Sequence, residues 1–337
     1  MKTAWDLSEI DTCPWCFGLN YCAELQNNTT FQYDSLNKVV FNLFSVKNVY
    51  FARSGETDVV IKKLIDKGDD FTGIRSEVKS EDLIDFLVDE KLRNFQVCSL
   101  ETAQIFLKDF SHKIFSHLWT LLNTNVEPLL LEIFPKQENW PVPHLLGYCG
   151  RTVIEENCGA HLNDIENLSW HDRAYVALQL LEVSLKFTFE HAKYRLYLTD
   201  ISPDNIAVNV SSLKVSVVDL ENAVLQRKVE RMDTFHYTQH SSYGEYAFSK
   251  SEICSRTISD HNIYSVCMLL LSPSAPYPMM SGGLLHSPPS TVDASRLFAQ
   301  IELCVYSTNH VSRFLIVKQI EELITSQLHK VDYYNKH

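Results

Sequence analysis

The chain is poor in glycine, in basic charge and in long apolar runs. Ten glycines in 337 residues leave no room for a glycine-periodic or low-complexity architecture. Thirty Lys and Arg face 42 Asp and Glu, a formal net charge of -12. Nucleic-acid backbones bind through dense Lys/Arg, so the acidic balance argues against that class of partner. No apolar run approaches the roughly 18 residues that cross a bilayer, and no membrane span is expected. The opening MKTAWDLSEI also lacks the apolar core of about 7–15 residues that marks a secretory signal. What is present is 45% hydrophobic residues, 11% aromatic, in a length that suits one large or two medium domains.

Nine cysteines stand at 13, 16, 22, 98, 149, 158, 254, 267 and 304. The odd count leaves at least one thiol unpaired within a monomer. Asn-x-Ser/Thr acceptors occur at Asn27, Asn28, Asn167 and Asn209. Cysteines and acceptors together hint at an oxidising compartment, against the absence of a visible signal. Cys13-Pro14-Trp15-Cys16 has the form of a thiol redox pair, yet only twelve mostly polar residues precede it. A zinc knuckle would need a second ligand pair, and none follows at suitable spacing. A disulfide-stapled N-terminal cap over residues 1–30 is the favoured reading.

Periodicity then divides the chain. Val39–Phe41, Val49–Ala52 and Val59–Ile61 read as strands, with Gly55 turning between the last two. Residues 66–125 are charged and weakly helical, with Ser80 opening a helix through Leu83 and Leu87. Leu145–Tyr148 and Thr152–Ile154 are further strands. Ser169 caps a helix over about 170–191, on which Ala174, Ala177, Leu178, Leu181 and Leu185 share a face. Two short strands follow at Ile206–Val208 and Val215–Val218, then helices at about 262–271 and 314–328. Residues 272–292 are a Pro-, Ser- and Gly-rich loop. Cys149 and Cys158 could pair or stay buried thiols, and Cys254, Cys267 and Cys304 could supply another bridge.

Three segments carry chemistry through their order: Val59-Val60-Ile61-Lys62, Asp200-Ile201-Ser202-Pro203-Asp204-Asn205, and Val217-Val218-Asp219-Leu220-Glu221. Taken singly, Lys62 is a strand-edge lysine, Asp200 to Asn205 a turn, and Asp219 a strand-end acid. Together they resemble the protein-kinase set of strand lysine, Asp-x-x-x-x-Asn loop and metal-binding Asp. Cys-Pro-x-Cys-Phe-Gly at 13–18, Val46–Ala52 and Ser281–His286 narrow the likeness. The chain resembles the divergent protein kinase domain 2 family, the deleted-in-autism-1 group within the wider FAM sixty-nine divergent kinases.

The resemblance implies an α+β, bilobal protein-kinase-like fold with a small β-rich N-lobe (31–155) and a larger helical C-lobe (156–330). The stretch 66–125 would be an insertion in the N-lobe. ATP with Mg²⁺ or Mn²⁺ is the implied cofactor. Lys62 would hold the α- and β-phosphates and be held by Glu127, with Glu132 as the fallback. Asp200 would act on the acceptor hydroxyl, and Asn205 and Asp219 would bind the metal ions. Partners implied are a nucleotide and an unidentified protein substrate or receptor, in the Golgi lumen or outside the cell, on a disulfide-bonded glycoprotein.

Departures from the kinase pattern are equally plain. Leu198-Thr199 replaces His-Arg, Leu220-Glu221 follows Asp219 in place of Phe-Gly, and Tyr50 to Gly55 offers one glycine for phosphate cradling. Two functions therefore compete: an active luminal kinase, and a catalytically weak or inactive fold serving as a secreted or Golgi binding protein. A third is thiol redox chemistry at Cys13 and Cys16.

Overall fold

The computed structural model describes residues 3–44, 48–64, 79–88, 94–165, 167–230, 233–240, 246–277, 281–307 and 312–334. It divides into two compact units, one of Met1–Asp89 with Ala103–Asn157, the other of Glu90–Thr102 with Cys158–His337.

The first unit is built on a five-stranded antiparallel sheet in the order Thr29–Phe31, Val49–Ser54, Thr57–Lys63, Thr152–Glu156, Leu145–Cys149. Period-two alternation puts Tyr50, Ala52, Val59 and Ile61 on one face, where they pack with Ala4, Leu7, Leu25, Cys149 and Ile154. The N-terminal cap is therefore part of this core. Phe17 N donates to Gly150 O, Gly150 N donates to Gly18 O, and Arg151 N donates to Ser8 O. Gly150 has φ +59°, and a Cβ there would lie 1.9 Å from Ser8 O, so only glycine fits. The Cys22–Cys149 disulfide fastens the same junction.

One expected strand is a helix. Val39–Phe41 lies inside Leu36–Phe44, whose apolar residues recur at three- and four-residue spacing. Asn42 explains the choice. Its amide donates to Gln32 O and Phe51 O and accepts from Phe51 N, pinning the helix to the chain beside the sheet. The short β-branched run misread as a strand is one turn of that helix.

The second unit carries the helix Trp170–Phe189, capped by Ser169, which accepts from Asp172 N. Around it lie the strands Tyr194–Leu198, Ile206–Asn209, Lys214–Val217 and Ala223–Arg227, then a buried helix His261–Val266 running into a π-turn at Cys267–Leu271. A helix not foreseen, Ala294–Val305, comes next, and the expected closing helix at 314–328 is found as the longer Arg313–Tyr334. The Ser281–His286 motif docks on the capped helix: Arg173 donates to Leu284 O and His286 O, and Trp170 Nε1 to Leu285 O.

The segment 66–125 is shared between the units. Its described part includes helices Ser80–Val88, Leu100–Asp109 and Phe115–Thr124. Its Glu90–Thr102 piece belongs to the second unit, where Phe95–Val97 pairs in parallel with Ala223–Arg227 and Cys98 bonds Cys254. A disulfide also joins Cys267 to Cys304. Cys149 is thus bonded to Cys22 rather than Cys158, which is a buried thiol.

Candidate functional site

In the first unit, Lys62 sits on the central strand of the sheet, not on an edge. Its side chain is 13% exposed; Nζ donates to Glu127 Oε2 at 2.7 Å and lies 3.0 Å from Glu155 Oε2. Both carboxylates are almost fully buried. Glu127 opens the helix Glu127–Ile133, and its backbone N–H donates to Asn125 Oδ1. Acidic side chains suit a helix N-terminus, where the peptide dipoles present positive charge. Glu132 is engaged elsewhere, accepting from Lys113 and from the Tyr148 hydroxyl, each at 2.7 Å. Burial, reinforced by the Glu132 charge, pushes the Tyr148 phenol well above its ordinary range. Lys63, on the opposite face of the strand, pairs with Glu9 at 2.9 Å.

Glu155 was missed by sequence reasoning, and the signal for it is the strand register. Lys62 stands opposite Val153 and Val60 opposite Glu155. Lys62 and Glu155 are therefore diagonal neighbours on one face, within reach of long side chains.

The hairpin before Lys62 is tight. Gly55, at φ +58°, turns the chain between Ser54 and Thr57, and its N–H donates to Asn28 O. The connection from Phe31 to Val49 contains no glycine and carries the helix Leu36–Phe44.

In the second unit, the loop after the fully buried strand Tyr194–Leu198 brings Asp200 and Asn205 together. Asn205 Nδ2 donates to Asp200 O at 3.0 Å and to Asp200 Oδ2 at 3.1 Å. These bonds use the amide nitrogen and leave Oδ1 as its acceptor. Ile206 then pairs with Val217, and Val218 N donates to Asn205 O at 2.9 Å, so one hairpin joins Asn205 to the residue before Asp219. Asp219 Oδ1 accepts from Glu221 N at 3.0 Å, an Asx-type turn. Glu221 is not among the residues with positive φ, so this turn does not need the glycine that kinases place there.

Leu198, standing where kinases have His, is held from below. Its N–H donates to Asn262 Oδ1 at 2.8 Å, and Asn262 Nδ2 donates to Leu196 O at 2.8 Å and Thr188 Oγ1 at 3.0 Å. Asn262 is fully buried. Sequence reasoning placed it only at a helix start and gave it no role.

Asp200 is exposed and Asp219 partly so. Burial, with the Asp200 and Asp204 charges adding, pushes the Tyr277 phenol up to about 12. Among the described residues no three His, Cys, Asp or Glu side chains form a metal-holding group. The loop instead offers carboxylates and one oriented amide oxygen, the hard donors that Mg²⁺ and Mn²⁺ accept, so its residues fit such an ion. The structure thus makes two groups, Lys62 with Glu127 and Glu155, and Asp200 with Asn205 and, through Val218, Asp219.

Residues 118–307, more than half of the chain, match the family model described as the protein-kinase domain of FAM69. Glu127, Asp200, Asn205 and Asp219 lie within that match. The chain is 29% identical to Divergent protein kinase domain 2A of Homo sapiens, covering 94% of this chain and 86% of that protein. It is equally similar to the Xenopus tropicalis protein of that name, over the same shares. Divergent protein kinase domain 2B of Homo sapiens is 30% identical over 34% of this chain and 26% of its own length.

Proposed function

The chain belongs to the FAM69 protein-kinase family, and on that premise we propose that it binds ATP with Mg²⁺ or Mn²⁺ and transfers the γ-phosphate to a hydroxyl acceptor within the secretory pathway. The bound nucleotide would supply the phosphoryl group and its ion would neutralise developing charge. Lys62, held by Glu127, binds the α- and β-phosphates. Asp200 orients the acceptor hydroxyl and takes up its proton. Asn205 and Asp219 hold the ion. The observation that carries this reading is the Asp200–Asn205 pair, bonded at 3.1 Å and one hairpin from Asp219.

A second reading, a weakly active or inactive fold that binds partners, is favoured by separate observations. Lys62 already faces a second carboxylate at 3.0 Å. The Gly55 N–H is committed to Asn28 O, and no glycine-rich loop precedes the lysine. Transfer of labelled γ-phosphate in the presence of Mn²⁺, to the chain itself or to a peptide mixture, separates the two. Transfer lost in Asp200→Asn supports the kinase; none in the wild type leaves the binding protein.

Location in the secretory pathway is supported by the four disulfides, which persist where the surroundings are oxidising. Asn27, Asn28, Asn167 and Asn209 are all exposed, as glycan acceptors must be. Material recovered from animal cells should lose mass with an N-glycosidase and carry these bridges; a reduced, unglycosylated chain would contradict the assignment.

A further inference from the structure

The four disulfides are not alike. Three close wide loops, with sequence separations of 127, 156 and 37, and restrain the unfolded chain strongly. Cys13–Cys16, at a separation of 3, restrains it least, so opening it costs the fold least. Its two sulfurs also differ in setting: Cys16 is fully buried, whereas Cys13 is partly exposed beside the exposed Pro14. Behind the buried sulfur stands His117, on the helix Phe115–Thr124, with Nε2 at 3.7 Å from Cys16 Sγ. Trp15 and Trp119 pack edge to face at 5.5 Å and tie the Cys-Pro-Trp-Cys segment to that helix.

We propose that Cys13–Cys16 is a thiol–disulfide exchange site that oxidises a protein dithiol, with Cys13 as the attacked sulfur and His117 as the catalytic group at Cys16. The site is independent of nucleotide binding. An incoming thiol first gives its proton to solvent, and its thiolate attacks the accessible Cys13 Sγ. The Cys13–Cys16 bond breaks, and its electron pair leaves on Cys16 Sγ. The His117 N–H donates a hydrogen bond to that thiolate. Burial and the Lys113 charge hold the His117 pKa below its ordinary value, so the ring is a neutral donor at pH 7. A second thiolate of the same partner then attacks its own sulfur in the mixed disulfide and releases Cys13. Two electrons pass from partner to chain: the partner gains a disulfide, and Cys13 and Cys16 become thiols once the two protons return from solvent. Exchange rates rise as the leaving thiolate is stabilised, which is the task given to His117.

The test uses the intact, oxidised chain with reduced glutathione as the probe, quenched by N-ethylmaleimide and mapped by peptide mass. Cys13–Cys16 is expected to open at least tenfold faster than the other three bridges, with the glutathione adduct on Cys13. His117→Ala should slow opening about tenfold, the size of a hydrogen bond to a charged group, and His117→Gln, which retains an N–H donor, should recover part of the rate. Opening only together with Cys22–Cys149, or an adduct on Cys16, overturns the proposal, and neither measurement needs a variant. An unchanged rate in a folded His117→Ala chain removes the histidine's role and overturns it as stated.

Discussion

The two groups of candidate residues differ in how deeply their charge is buried. Around Lys62 an ammonium 13% exposed meets two carboxylates that are each 2% exposed. Around Asp200 and Asp219 the carboxylates reach solvent; the Asn205 amide holds the one and the Glu221 N–H the other. Buried ions cannot lose a partner without leaving an uncompensated charge, whereas a solvated carboxylate can be replaced at little cost. Chemistry at Lys62 is therefore inseparable from folding of the first unit. At the Asp200 loop, function and stability can be tested apart.

Lys62→Met should show the largest effect, a loss of about 3–5 kcal/mol in denaturant unfolding, since Glu127 and Glu155 would lose the cation they share. A loss below 1 kcal/mol would break the contrast. Next comes the support beneath the loop. Asn262→Leu abandons the Leu198 N–H and the Leu196 carbonyl in a dry interior and should cost about 2–3 kcal/mol. A smaller loss would mean that the loop is held from above.

The pH dependence follows at about 2 kcal/mol. His261 is fully buried and hydrogen-bonded to Tyr246, and burial, with the His236 and Arg313 charges adding, lowers its pKa to about 3. The unfolded histidine takes up its proton near the ordinary value of about 6.5 while the folded one does not. Stability is therefore full above that value and falls as pH drops through the window down to the folded pKa. Between pH 7 and pH 5 the loss is about 2 kcal/mol, and His261→Gln should flatten that slope in urea titrations at the two pH values. The smallest effect is Asp219→Asn, within about 0.5 kcal/mol of wild type because the side chain is partly solvated.

Much of this was legible in the sequence, and the failures have physical reasons. Val59 to Ile61, Ser169 with its helix, and the Asp-x-x-x-x-Asn loop announce themselves through local period and spacing. Val39–Phe41 did not, because a three-residue apolar run fits strand and helix alike until Asn42 bonds the Phe51 backbone nine residues on. Glu155 and Asn262 were invisible for the same reason. Their importance lies in strand register and in packing beneath a loop, relations between distant segments that carry no local signature. Cysteine pairing was legible only in part: the stapled cap and a bridge among Cys254, Cys267 and Cys304 were expected, whereas Cys98 finds Cys254 only once Phe95–Val97 has joined a strand of the second unit.

The central claim, that the retained lysine and the Asp200–Asn205–Asp219 loop serve a nucleotide with a divalent ion, is met most directly by thermal unfolding with ATP and Mn²⁺. The account predicts a rise in Tm that needs both ATP and the ion and is absent in Asp219→Asn, whose own Tm matches wild type. No rise in the wild-type chain, or the same rise in Asp219→Asn, would contradict it.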